Sequence, residues 1–192
     1  MGKGAGLGDL AWWPMVLAAT AVLMVTTGVR LSLGLFVSPL NTATGLGIAS
    51  ISLAMAVSQL TWGVAQPVFG ALADRFGALR CLVAGTLLLA VGLAATPFAH
   101  SQPALILCLG VLVAAGAGAG SYPILLGAVA RVVPPARRGV VSGFVNAGGS
   151  FGQFVFAPLL QALISGFSWV HALFVSAVLV LATLPMGWRV GL

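Results

Sequence analysis

The stretch GALADRFGALR, residues 70–80, lies between two long apolar runs and holds three of the chain's ten charged residues. Asp74 is one of only two acidic residues in the sequence, and Arg75 and Arg80 follow it closely. Gly70 and Gly77 flank this group of charges. A short charged segment between apolar runs is typical of a loop that joins two membrane-spanning helices on the side where basic residues collect.

The composition indicates that most of the chain lies in a lipid bilayer. Hydrophobic residues make up 60% of the 192 residues, charged residues only 5%, and the mean hydropathy is +1.16. A soluble domain carries about 25% charged residues. The bases are scattered among apolar runs and form no clustered basic face, so we expect no nucleic acid as a partner. Cys81 and Cys108 match no metal spacing, and we expect neither a metal nor a cofactor.

Six apolar stretches reach the length of about 20 residues that a membrane-spanning helix needs. They cover residues 12–39, 50–73, 81–99, 103–130, 139–165 and 169–188. Polar segments with glycine or proline separate them, for example NTATGLG at 41–47 and RVVPPARRG at 131–139. The sequence therefore predicts an all-α membrane protein in which residues 1–192 form a single bundle of six transmembrane helices.

Lysine and arginine residues outside the spans all fall on one side of the predicted membrane. They are Lys3, Arg75, Arg80, Arg131, Arg137, Arg138 and Arg189. The connections on the other side, 40–49, 100–102 and 165–168, contain none. The positive-inside rule therefore predicts that both termini are cytoplasmic. Trp12, Trp13 and Trp188 are at helix ends on the same side, where interfacial anchors are expected.

The spans divide into two units of similar length, at about 12–99 and 103–188. A unit with an odd number of spans ends on the side opposite to its start, so the second unit is inverted relative to the first. Inverted three-helix repeats of this kind build the six-helix halves of major facilitator transporters. We therefore expect two inverted three-helix repeats.

Polar and small residues form stripes on spans one, two, four and five. They are Thr26, Thr27, Arg30, Gly34 and Ser38; Gln59, Gly63, Gln66 and Gly70; the run AAGAGAGSYP at 114–123; and Ser142, Asn146, Gly149, Gln153 and Gln161. Such residues either hold helices together or line a cavity, and both interpretations stay open. Spans three and six have no comparable stripe, and we expect them to face lipid or to support the others.

Arg30 lies about 6 Å from the centre of span one by helical rise. An arginine at the centre of a membrane helix costs about 2.5–3.5 kcal/mol, so this side chain is expected to face the protein interior and to have a partner. The predicted spans contain no Asp or Glu. The partner is therefore a carboxylate outside these spans or an anionic substrate, because a guanidinium binds carboxylates through two parallel hydrogen bonds.

We expect a small organic anion to bind among side chains from four spans. The candidate residues are Thr26, Arg30, Gly34, Gln59, Tyr122, Asn146 and Gln153. Membrane carboxylates or histidines usually carry protons in coupled transporters. Because His100 and His171 are near the outer ends of spans, exchange and facilitated diffusion stay open as mechanisms.

Gly70-Ala-Leu-Ala-Asp74-Arg75-Phe-Gly77 resembles the signature loop of the major facilitator superfamily, G-x-x-x-D-R-x-G-[RK]-[RK]. It departs from that pattern at Ala78 and Leu79, where the family usually has two bases, and Arg80 supplies a charge one position later. The runs at 28–40, 59–77 and 146–161 are similar to bacterial members near the oxalate/formate and monocarboxylate porters. The resemblance implies the amino-terminal six-helix half of such a transporter, in the bacterial inner membrane.

In that family the loop acts as a conformational latch on the cytoplasmic side. The resemblance assigns this role to Gly70, Asp74, Arg75 and Gly77, with Arg80 as an added base and Arg138 as a weaker echo in the second unit. A carboxylate at a helix end can pair with arginines, and exchanging such contacts suits a two-state switch. The alternative is a solvated turn whose bases only set the orientation.

These features predict a secondary active transporter, or half of one, that moves a small monocarboxylate or dicarboxylate by alternating access. An efflux carrier for other small molecules, a channel and a non-transporting six-helix subunit stay as alternatives. An enzyme is not expected, because Ser150 of the G-x-S-x-G match and His171 differ by about 15–20 Å in depth at helical rise. Since such transporters have twelve spans, we expect membrane lipid and a second six-helix half or a homodimer as partners.

Overall fold

The computed structural model describes residues 12–191, and all regular elements in that range are helical. The α-helices are α1 Trp13–Leu31, α2 Val37–Thr44, α3 Ile48–Phe76, α4 Ala78–Ala95, α5 Gln102–Leu105, α6 Ala114–Ala119, α7 Tyr122–Val129, α8 Arg138–Gly166, α9 Trp169–Leu181 and α10 Leu184–Gly191. Short 3-10 segments occur at Ser32–Phe36, Thr96–Phe98 and Pro135–Arg137, and a π-helical segment at Ile106–Val113. Lys3, which contributed to the predicted orientation, lies outside the described residues.

Within the described part of the chain, six helical runs are long and apolar enough to cross a membrane. These spans are Trp13–Thr44, Ile48–Phe76, Ala78–Phe98, Gln102–Val129, Pro135–Gly166 and Trp169–Trp188, called spans one to six. They confirm the predicted all-α membrane fold and its six helices.

Two predicted connections are wrong. Residues 41–44 continue α2 instead of forming a loop, and residues 70–80 are helical except for Gly77, which separates α3 from α4. The Thr42 and Thr44 hydroxyls donate hydrogen bonds to carbonyl oxygens one turn back, at 3.1 and 2.7 Å. These local bonds satisfy the polar side chains without leaving the helix. Gly45 then ends α2 with a φ of 66°, a conformation that favours glycine.

The two halves of the bundle use equivalent contacts. Span one packs along span five, and span two packs along span four. These contacts are equivalent, because exchanging the halves replaces span one by span four and span five by span two. Span three contacts span four, and span six contacts span one. These two contacts are also equivalent, because exchanging the halves replaces span three by span six and span four by span one. These pairings fit the predicted pair of three-helix units. The boundary between the units, placed between residues 99 and 103, stays a prediction.

Glycines allow the closest approaches between spans. A Cβ atom added at Gly152 of α8 would overlap the backbone of Met24 in α1. One added at Gly116 of α6 would overlap the backbone of Leu89 in α4. The small-residue run at 114–123 therefore does allow helix backbones to approach closely.

Spans two and five are the least covered of the six. Their most apolar stretches are 22% and 28% buried, against 44% and 39% for spans three and six. Spans three and six are better covered because α4 packs against both α9 and α10. Of the two roles expected for spans three and six, support therefore fits better than a mainly lipid-facing position. Large uncovered side chains on spans two and five include Leu60, Val64, Phe151 and Phe154.

Candidate functional site

An open cavity of about 380 Å³ lies between spans one, two, four and five, the spans that carry the polar stripes. Its polar lining residues are Thr26, Thr27, Arg30, Gln66, Ser121, Tyr122, Asn146, Ser150 and Gln153. Leu23, Leu31, Trp62, Ala117, Pro123 and Gly149 complete the lining. The polar stripes thus meet at one place, and the lining contains no carboxylate.

Arg30 is half-buried in this cavity and is held by two uncharged side chains of span two. One guanidinium nitrogen, Nη1, donates a hydrogen bond to Gln59 Oε1 at 2.6 Å. The guanidinium carbon also lies 4.0 Å from the centroid of the Trp62 ring, which is cation–π geometry. A guanidinium has five N–H donors, and no other hydrogen bond from Arg30 is formed to the described residues. The remaining donors are available to a ligand.

The structure brings five of the seven predicted binding residues together as lining of this cavity: Thr26, Arg30, Tyr122, Asn146 and Gln153. Gln59 is not a lining residue but supports Arg30 through its amide oxygen. Gly34 is outside the cavity, because the chain changes to a 3-10 helix at Ser32. A tighter helix has three residues per turn, so Gly34 no longer follows Arg30 on the same face.

Two of the lining residues connect span four to its neighbours. The buried Thr26 hydroxyl of span one lies 3.2 Å from the carbonyl oxygen of Gly120. The Tyr122 hydroxyl forms a short hydrogen bond with the Ser142 hydroxyl of span five. These contacts join span four to spans one and five beside the cavity.

Trp62 and Ser121 were not among the predicted binding residues. Trp62 lies three positions after Gln59 and four before Gln66, so helical spacing places it on the stripe already identified in span two. A stripe of amides and small residues does not by itself indicate an aromatic ring as a binding group. Ser121 belongs to the run at 114–123, for which the sequence leaves close packing and cavity lining both open.

A second cavity of about 240 Å³ lies between α3 and α7, at the end of the bundle that carries Arg75, Arg80, Arg131, Arg137 and Arg138, called the basic end. It shares Gln66 and Pro123 with the first cavity. Asp74 and Arg131 both line it, and Arg131 Nη2 lies 3.5 Å from Asp74 Oδ1. Their side chains are 82% and 68% exposed.

The predicted latch residues occupy different positions at the basic end. Gly70 lines the second cavity, and Gly77 ends α3 with a φ of 91°. Arg75 lies over the ring of Phe76 at 5.3 Å, and Arg80 is exposed. Arg138 Nε donates to the carbonyl oxygen of Val133 at 3.3 Å.

Arg131, which the loop motif did not include, is the base that pairs with Asp74. The structure packs span two along span four, and Arg131 is the first base after span four. The pair joins the ends of these two spans, which is a contact that a motif within one loop does not describe.

The serine and histidine of the G-x-S-x-G alternative are not neighbours. Ser150 lines the central cavity. His171 is at the start of α9, with its Nδ1 atom 2.7 Å from the Ser168 hydroxyl. No catalytic pair is formed between Ser150 and His171.

Six apolar helices in two equivalent triplets, with polar faces that meet in a central cavity, define a multi-pass membrane protein of the transporter class. The sequence profile of the Major Facilitator Superfamily matches residues 15–191. The chain therefore belongs to the Major Facilitator Superfamily.

Its relatives are transporters and not enzymes. The chain is 31% identical to the oxalate:formate antiporter of Oxalobacter formigenes over 164 residues, which are 85% of this chain and 38% of that protein. It is 34% identical to monocarboxylate transporter 11 of Mus musculus over 191 residues, 96% of this chain and 41% of that protein. Monocarboxylate transporter 13 of Bos taurus is 29% identical over 180 residues, 93% of this chain and 42% of that protein. The chain thus spans about two fifths of the length of these relatives.

Proposed function

We propose that this chain is a six-helix half of a secondary active transporter that moves a small monocarboxylate or dicarboxylate. The main support for the proposal is the position of the Arg30 guanidinium, which is half-buried in a cavity whose lining contains no carboxylate. A charge at this depth is costly without a counter-charge, and an organic anion supplies one. The names of the relatives, which refer to oxalate, formate and monocarboxylates, support the same substrate class.

The cavity offers complementary groups around Arg30. A carboxylate can accept two parallel hydrogen bonds from the guanidinium fork. Gln59 and Trp62 already orient the guanidinium, so little side-chain freedom is lost when the anion binds. Asn146 and Gln153 of α8 line the same space and supply amide donors to the remaining oxygens.

We further propose that the basic end faces the cytoplasm of a bacterial cell, with both termini on that side, and that Asp74 and Arg131 form the latch. The pair links the ends of spans two and four beside the second cavity. Exposed ion pairs contribute about 0–1 kcal/mol. A contact of that size can break and reform during alternating access without trapping either state.

A second six-helix unit is proposed to cover spans two and five. Those two spans are the least buried, and large apolar side chains such as Leu60 and Phe154 lie on them. The unit is another segment of the polypeptide or a second copy of this chain. If the unit is a second copy, native mass spectrometry of the 192-residue chain in nanodiscs is expected to give a dimer. A monomer in which spin labels attached at positions 60 and 154 are in contact with lipid would contradict pairing between copies of the chain.

Transport is tested by counterflow in proteoliposomes with labelled oxalate, formate and lactate. We expect saturable uptake that an internal anion stimulates, and its loss in Arg30→Ala. Ser176→Ala is the control, because Ser176 is buried in α9 away from the cavity. Undiminished saturable uptake by Arg30→Ala would remove the site assignment, and uptake of uncharged compounds alone would favour the efflux alternative.

A further inference from the structure

Span four is interrupted beside the central cavity. Helix α6 ends at Ala119, and α7 begins at Tyr122. Between them Ser121 has an extended backbone, with φ of −78° and ψ of 161°. A break in a membrane helix exposes backbone polar groups, which is tolerated where they line a cavity, and Ser121, Tyr122 and Pro123 all line this one.

The two sides of the break differ in their hydrogen bonding. On the carbonyl side, Gly120 O lies 3.2 Å from the Thr26 hydroxyl of span one. On the amide side, the first N–H groups of α7 have no partner within the helix. Pro123 has no N–H, and the Ser121 side chain makes no capping hydrogen bond. The amide groups of Tyr122 and Ile124 are therefore not satisfied by their own helix.

Ser121 gives an independent sign of ligand binding at this place. Its side chain is 4% exposed, and its hydroxyl oxygen is one of two buried side-chain polar atoms without a hydrogen-bond partner within residues 12–191. Buried hydroxyls nearly always have such a partner. Ser121 lines the same cavity as Arg30, so a rotation about its Cα–Cβ bond is all that this unpartnered hydroxyl needs to meet a ligand there.

We propose that Ser121 and the start of α7 form a second anion-recognition point, which makes the cavity selective for short dicarboxylates. Thr26 precedes Arg30 by one helical turn, or about 6 Å of rise, and contacts Gly120 at the break. Because Arg30, Ser121 and Tyr122 line the same cavity, a molecule with two carboxylates can place one on the Arg30 guanidinium and the other at the start of α7. There the Ser121 hydroxyl and the positive end of the helix dipole favour negative charge.

This inference rests on the proposed function, because it narrows the substrate class of the same site. The test compares dicarboxylates with monocarboxylates of equal carbon number, succinate with butyrate and malonate with propionate. Binding is measured by equilibrium dialysis of the 192-residue chain in nanodiscs. Ser121→Ala is expected to weaken dicarboxylate binding about 10-fold, from the loss of a hydrogen bond to a charged group, and monocarboxylate binding less than about 2-fold.

Two further variants separate the possible failures. Arg30→Ala is expected to weaken all four ligands. Ser176→Ala is the matched control, since its buried hydroxyl donates to the Ala172 carbonyl at 2.7 Å, outside the cavity, and we expect no change in any affinity. If Ser121→Ala is poorly folded, Ser121→Cys keeps the volume with a weaker donor and should show the same selective loss at smaller size.

Equal effects of Ser121→Ala on both ligand classes, or none on either, would overturn the second recognition point. The organic-anion function would survive that result as long as Arg30→Ala still weakened binding. Affinities that do not respond to Arg30→Ala, or a chain that binds none of the four anions, would instead contradict the proposed function itself.

Discussion

Arg30 and Arg131 are both arginines of a chain with few charges, but their surroundings differ. Arg30 is half-buried in the central cavity and contacts an amide oxygen at 2.6 Å and an indole ring at 4.0 Å. Arg131 is at the basic end, where its partner is the Asp74 carboxylate at 3.5 Å and both side chains are mostly exposed. The buried guanidinium thus has neutral partners, and the exposed one has a carboxylate.

The difference follows from burial, because burial changes the strength of the attraction between a charged side chain and an anion. In low-dielectric surroundings the attraction between two charges is several times stronger than near water. An anion that reaches Arg30 therefore gains substantial binding energy, whereas salt and water screen the Asp74–Arg131 pair. A strong interaction suits substrate binding, and a weak one suits a contact that breaks in each transport cycle.

The greatest loss of anion affinity is expected for a variant of Arg30. Arg30→Ala should weaken binding of a small dicarboxylate about 100-fold, because two hydrogen bonds to a charged group are lost. Arg131→Ala should change the same affinity less than about 2-fold. Isothermal titration calorimetry with both variants checks this. Similar losses in the two variants would show that the arginines do not differ in role.

A second test compares the α1–α8 contact with the basic end through two glycines. Gly152→Ala should destabilise the protein by about 1–3 kcal/mol, because its Cβ would overlap the α1 backbone at Met24. Gly70→Ala should be neutral or stabilising by up to about 1 kcal/mol, since nothing lies within 4 Å of its Cβ and alanine favours the helix. Denaturation in mixed detergent micelles measures both. A more stable Gly152→Ala variant would contradict the close α1–α8 contact.

A variant of Trp62 tests whether the indole ring orients the Arg30 guanidinium. Trp62→Leu removes the ring under the guanidinium and should weaken anion binding about five-fold, within the range of a cation–π contact. Trp188→Leu is the control, because that side chain is 62% exposed near the end of span six. Equal affinity in wild type and Trp62→Leu would show that the ring does not orient Arg30.

Only a small change in the exchange rate is expected for a variant at the basic end. Asp74→Asn should leave anion affinity unchanged and alter the exchange rate less than about five-fold, because an exposed ion pair contributes at most about 1 kcal/mol. High salt should reduce the difference between this variant and wild type. Arg75→Gln should have no such salt-dependent effect, since Arg75 contacts Phe76 instead of Asp74. Counterflow rates at two salt concentrations decide this.

The fold was largely predictable because each span is a long apolar run, and the bilayer fixes the length that such a run needs. The cavity was partly predictable, since residues such as Thr26, Asn146 and Gln153 follow helical spacing and so share a face. The partners of Arg30 and Asp74 were not predictable, because they lie on other spans and depend on how helices pack. The break at Ser121 lies in a glycine-rich run that also fits close packing, so composition alone did not separate these two roles.

Tryptophan fluorescence can report whether Arg30 binds an organic anion in the cavity, because Trp62 lies against that guanidinium. Titration of the purified chain with succinate should give a saturable fluorescence change in wild type and in Arg131→Ala. In Arg30→Ala we expect no fluorescence change. A saturable change with wild-type affinity in Arg30→Ala would contradict anion binding by Arg30.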